Sequence, residues 1–361
     1  MRNNILFYLA VFAISTISLA GCGGGGGGAA PAGTTVSRGV VTAEGNIAVN
    51  GLFYNISSAT IIIDGLPSTK SDLKVGMIVT VKGIFDNRTS HAIRRMATGV
   101  EYASDFQGPV DCVNPLSNSL TIMGQQVLLA SASPNRTVFA NFTSNQNIFA
   151  SISTAGKLNP HLSPHLLDPT RIADPDPASI TYNPYVYSTV KVSGFSNGIN
   201  YFLATRIELL DQNVDLTTSV PVGIRGEISN VDLPGMTFTI GNLTVDYSMM
   251  NQVYVPTQLV EGFFVSVMGS SSDFEAGNAP SLAIIAPQLI KPITEGVTAK
   301  EGDHVTVAGF VSGLSGSFFR IGGTPVDASV FSLSGISNAG FLEVDGIFHN
   351  GILVASKITL F

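Results

Sequence analysis

Tryptophan is missing from the 361 residues, cysteine occurs twice, and charged side chains make up only 12%. Such a chain lacks the Glu, Lys and Ala needed for coiled coils or long charged helices. With 18 Lys and Arg and a net charge of −7, it has no basic footprint for nucleic acid. Hydrophobic residues reach 45%, which excludes a mostly disordered chain. Glycine (38) and proline (18) are plentiful. The length allows about two to four domains.

The first segment reads as an address. Arg2 precedes an apolar run over Ile5–Leu19, too short for a comfortable span and suited to a signal-peptide core. The run ends in Leu19-Ala20-Gly21-Cys22, which resembles the lipobox of bacterial lipoproteins. That resemblance implies cleavage of a signal peptide at 1–21 and lipidation of Cys22. Acyl chains bind a bilayer at about 0.8 kcal/mol per buried CH₂, so several on one thiol anchor firmly. Gly23, rather than Asp, follows the cysteine, and lipoprotein sorting then implies the outer membrane. Residues 22–38, opening with Gly23–Gly28, are expected to be a flexible tether. Cys112 is left without a disulfide partner and reads as a small buried strand residue.

Beyond the tether one pattern recurs: Val79-Thr80-Val81-Lys82-Gly83, Val190-Lys191-Val192-Ser193-Gly194, Val265-Ser266-Val267-Met268-Gly269 and Leu342-Glu343-Val344-Asp345-Gly346. Alternation of this kind marks a half-buried strand, and the glycine marks a bulge or bend. Lys82, Ser193 and Asp345 are then expected to face solvent, with Met268 between domains. A strand running into a glycine turn precedes each pattern, at Ile47–Gly51, Leu120–Gly124, Phe238–Gly241 and Phe319–Gly322. Asp246 and Asp327 recur at matched places, after a strand and before a serine, where Asx-type turns are expected rather than paired carboxylates. One helical turn is expected near Lys70–Val75.

The expected fold is all-β: four tandem small antiparallel β-barrels, OB-like in size, each of about five short strands. Repeat 1 covers 39–104, repeat 2 covers 105–210 with an insertion at about 135–185, repeat 3 covers 211–290 and repeat 4 covers 291–361. Short strands argue against a membrane-spanning barrel, whose strands need about 9–11 residues.

The run Val49–Tyr54, Ser58–Gly65 and Leu73–Gly83 resembles domain-of-unknown-function family 5666. The likeness is good over 39–104, fair over 222–289 and 305–361, and poor over 105–210. It implies an envelope lipoprotein with tandem copies and carries no catalytic motif.

Chemistry is sparse. The densest cluster is in the insertion, where His161, His165 and Asp168 are candidate ligands for a divalent ion. Pro164 breaks the helix on which histidines four apart would converge, so a proline-punctuated surface loop is the competing reading. Arg88, His91, Arg94 and Arg95 form one local basic patch, read as a solvated hairpin. Asp273-Phe274-Glu275 reads as an acidic loop. No catalytic residue and no cofactor are expected. The sequence therefore points to a non-enzymatic structural or binding component of the envelope. Its partners are the membrane, through the N-terminal lipid, and an envelope protein or polysaccharide. The alternative is an enzyme or metal-binding protein working through the insertion.

Overall fold

Val81, Val192, Val267 and Val344 are fully buried, as are Val79, Val190, Val265 and Leu342 two residues before them. The four are equivalent core positions, and the alternation predicts this. The computed structural model describes residues 33–86, 94–114, 116–131, 136–142, 186–197, 201–215, 219–257, 259–275 and 283–361. Among them only single helical turns interrupt the strands, and Lys70–Asp72 is one, as expected.

Barrel 1 comprises β1 (Gly33–Ala43), β2 (Ile47–Val49), β3 (Leu52–Asn55), β4 (Thr60–Ile63), β5 (Leu66–Ser68), β6 (Ile78–Asp86) and β7 (Arg94–Tyr102). β1 pairs antiparallel with β2 and β6, β2 with β3 and β6 with β7, while β3 runs parallel to β7. This circuit closes a five-stranded barrel of OB-like size. The β4–β5 hairpin extends it at β7.

Barrel 2 comprises β8 (Phe106–Asn114), β9 (Ser119–Ile122), β10 (Gln125–Leu129), β11 (Val138–Ala140), β12 (Val186–Ser196) and β13 (Phe202–Asp215). The circuit β8–β9–β10–β13–β12 closes with the same strand directions. β11 adds parallel to β13, so the insertion begins as a strand and not as a loop.

Barrel 3 comprises β14 (Pro221–Glu227), β15 (Ser229–Asp232), β16 (Thr237–Ile240), β17 (Leu243–Asp246), β18 (Phe264–Ser270), β19 (Phe274–Glu275), β20 (Ala283–Ile285) and β21 (Leu289–Pro292). Here three of the five strands are broken: β14 and β15 at Ile228, β18 and β19 at the turn Ser271–Asp273, and β20 and β21 between Ile285 and Leu289. The pairings are otherwise the same. The Asp273–Glu275 segment is thus a turn feeding a short strand rather than a free loop.

Barrel 4 comprises β22 (His304–Ser315), β23 (Phe318–Ile321), β24 (Thr324–Asp327), β25 (Phe341–His349) and β26 (Ile352–Leu360), closed by the same circuit.

Local chemistry explains the repetition. Asn50-Gly51, Met123-Gly124 and Gly322-Gly323 all have φ between 48° and 77°, the left-handed pair that a two-residue hairpin needs. Ser248 and Ser329 donate their amides to Asp246 and Asp327, forming the expected Asx turns, and Ser57 donates to Asn55 in the same way, each at 2.9 Å. The ladders slip at Gly83, Gly194 and Gly346. A Cβ there would stand 2.7, 2.2 and 2.0 Å from the carbonyl oxygens of Met96, Leu203 and Val354. Close backbone approach therefore fixes glycine at these bulges.

Four expectations need correction. Gly33–Arg38, placed in the tether, are paired in β1. The strands are not uniformly short: β13 has 14 residues and β22 has 12, because each bends through a bulge or reaches past its own barrel. Ser193 is buried at 1% exposure, since barrel 1 docks on it, and Asp345 is half-buried against Thr306. Met268 is exposed rather than covered by a neighbouring barrel. Lys82 does face solvent.

The barrels are fused, and residues 32–361 form one compact unit. β2 covers only Val41 and Ala43 of β1, leaving an open edge at Thr35–Arg38. Strand β22 takes that edge in parallel, Thr35 opposite His304 through Arg38 opposite Val307. Likewise β14 pairs with β8 at Gln107 and Phe106. Barrels 2 and 3 share one hydrophobic core, barrel 1 keeps its own, and the core of barrel 4 takes in Val36 from β1.

Candidate functional site

Four charged groups, three of them half-buried, gather where the first strands of the barrels meet. Arg38 is on β1, Arg225 is on β14, Asp105 lies just before β8, and Glu295 lies in the chain entering barrel 4. Burial pulls the Arg38 guanidinium below its ordinary value; Asp105 and Glu295 oppose this, and Arg225 adds to it. Burial pushes the Asp105 carboxyl up to about 6 against the pull of Arg225 and Arg38. It accepts the Gly194 amide at 3.0 Å. The cluster therefore holds one charged group from the neighbourhood of each barrel and neutralises them mutually.

Further bonds cross between barrels 1 and 2. The Ile78 amide donates to Ser193 Oγ at 2.9 Å, Thr205 donates to the Gly76 carbonyl at 2.6 Å, and Arg206 to that of Val75 at 3.1 Å. Lys191 pairs with Asp64. Ile78, Phe195 and Phe310 close an apolar seam between barrels 1, 2 and 4, with Phe341 edge-on to the two phenylalanines.

Glu295 leads from this junction to a groove of about 540 Å³ between barrels 3 and 4. Glu227, Glu295 and Arg320 line it, with Phe263, Phe264 and Ser312. Gly323 has φ 77°, and a Cβ on it would meet Glu295 Cγ at 2.3 Å, so the glycine turn seats the glutamate stem. Burial, with Glu227 adding to it, raises the Glu295 carboxyl to about 7, while Arg38 and Arg320 draw it down. Glu295 still meets solvent at the groove, which weakens that rise relative to a closed site. Arg320 donates to the Gly323 carbonyl at 3.3 Å. A second hollow of about 360 Å³ shares Phe263 and Pro292 with the first and is lined by Val253, Tyr254 and Val255.

A different buried acid stands alone. Asp111 is the bulged residue of β8; its Oδ2 accepts the Gly124 amide at 2.6 Å and its Oδ1 has no partner. Burial lifts it to about 7.

Of the residues singled out in the sequence, Cys22, His161, His165 and Asp168 lie outside the described residues, as do Arg88 and His91. Cys112 is in β8 opposite Thr121, as its alternation suggested. His349 pairs with Glu301 on the surface of barrel 4. The junction residues were missed. Their one sequence signal is the pair Arg38-Gly39 and Arg225-Gly226, an Arg-Gly step at the same place in two first strands.

Residues 35–94 match the model of a family described as Domain of unknown function (DUF5666). The matched segment runs from β1 to the start of β7, the whole circuit of barrel 1 but its last strand. Barrels 2, 3 and 4 repeat that circuit outside the match. No curated protein and no solved structure matches the chain.

Proposed function

We propose that the chain is a cell-envelope lipoprotein, held at the outer membrane by acyl chains on Cys22. It presents its fused barrels as a non-enzymatic binding or structural body. The observation that carries this reading is the fusion itself. The most buried charged side chains, Arg206 and Asp303, are spent on joining barrels, through the Val75 carbonyl and the Thr34 hydroxyl, rather than gathered around a reacting centre. The lipobox-like Leu19–Cys22 and the glycine run after it support the anchor, and the partner is an envelope protein or polysaccharide. Fractionation tests the anchor: wild type should stay with membranes after a high-salt wash, and Cys22→Ser should become soluble or stay unprocessed. A Cys22→Ser protein that still sediments with washed membranes overturns the reading.

A further inference from the structure

A surface with two hollows, which have Phe263 and Pro292 in common, runs along barrel 3 to its border with barrel 4. Its two ends differ in chemistry. One is apolar and aromatic, formed by Val253, Tyr254 and Val255, and Tyr254 is 66% exposed. The other carries Glu227, Glu295, Arg320 and Ser312.

We infer that this groove is a binding site for a neutral oligosaccharide, with sugar rings packed at the Tyr254 end and their hydroxyls bonded at the Glu227–Glu295–Arg320 end. The inference rests on the reading of the chain as a binding component and names the site and ligand class. Three features converge. First, the polar end sets two carboxylates beside a guanidinium. Acceptors and donors stand together there, as the hydroxyls of a sugar ring require. Second, Arg320 offsets one of the two carboxylates, so only a small residual charge remains, which suits an uncharged ligand over a polyanion or polycation. Third, a sugar ring has an apolar face as well as polar edges. An exposed aromatic beside charged hydrogen-bonding groups is complementary to both, at a size within the usual range of ligand sites of about 300–1,000 Å³. Arg320 and Glu295 are also held in place before any ligand arrives, by the Gly323 carbonyl and by the space above Gly323.

Titration calorimetry on the full-length protein in a polyoxyethylene detergent tests this with maltohexaose, cellohexaose and chitohexaose as probes. At least one should bind with Kd at or below about 1 mM. Tyr254→Ala and Arg320→Ala should each weaken that binding about tenfold or more. Tyr254→Phe, which keeps the ring, should stay within about threefold. Both side chains are exposed, so circular dichroism should show these variants folded. Failure of all three sugars to bind overturns the site, and so does binding indifferent to both alanine variants. Binding of spermidine instead, lost in Glu227→Gln, overturns it in favour of a cation site. Fractionation of Cys22→Ser reads the anchor alone, so the two readings fail separately.

Discussion

Asp105 holds Arg225 twice: its carbonyl accepts the Arg225 amide at 2.9 Å, and its carboxylate is the counter-charge to the Arg225 guanidinium. The first contact fixes the backbone of barrel 3 against barrel 2. The second neutralises a charge that the contact has carried out of water. Arg38 brings barrel 1 to the same carboxylate.

Removing that carboxylate should be costly. Asp105→Ala leaves Arg38 and Arg225 facing each other with Glu295 as the counter-charge left at Arg38. An uncompensated charge costs about 3–5 kcal/mol when fully buried, and less at this half-buried junction. Urea unfolding should show the loss, and a change below about 1 kcal/mol would mean the cluster is solvated and incidental.

Asp105 and Asp111 make stability depend on pH in an unusual direction. Both carboxyls sit above their ordinary 3.8, at about 6 and about 7. The folded state therefore holds protons that the unfolded chain has released. Their contribution is complete below about pH 4 and is lost as pH rises through about 6 to 7. The urea midpoint should fall between pH 5 and pH 8. Asp111→Asn keeps an acceptor for the Gly124 amide without the charge. It should raise stability at pH 8 by about 1–3 kcal/mol and flatten the slope. A midpoint that climbs toward pH 8 would contradict this.

Val344→Asp puts an unpaired carboxylate into the core of barrel 4, at a cost of several kcal/mol. Because β22 also covers the edge of β1, barrel 1 should loosen with barrel 4, while barrels 2 and 3 hold through their shared core. Limited proteolysis should leave a resistant product from the middle of the chain. Survival of an intact 33–102 fragment would show that barrel 1 stands alone.

Lys82 and Ser193 occupy the same place beside their bulge glycines, yet Lys82→Asp and Ser193→Asp should differ. The first is a surface change, within about 0.5 kcal/mol. The second sets a carboxylate into the contact with the Ile78 amide and should cost about 1–3 kcal/mol, read from thermal unfolding. Equal effects would mean that barrel 1 does not dock at Ser193.

These two residues also show what the sequence conveys. Alternation over five residues is local, so the buried valines, the bulge glycines and the Asx turns are all legible in the order of residues alone. Burial of Ser193 comes from a partner 115 positions away. Strand parity assigns a side chain to the outside of its own barrel and is silent on a second barrel covering it. The junction is harder still, since Arg38, Asp105, Arg225 and Glu295 come from four separate stretches and share no period. The groove takes its walls from two barrels and shows no motif in either.

The parallel ladder between β1 and β22 has a mechanical consequence. Force applied through the residues before Gly33 would enter β1 at its first residue and run along the strand. The bonds to β6 and β22 lie across that direction, so they would be loaded together, in shear, rather than opened one at a time from an end. Barrel 1 is thereby clamped on two sides at the point where a pull on the N-terminus arrives.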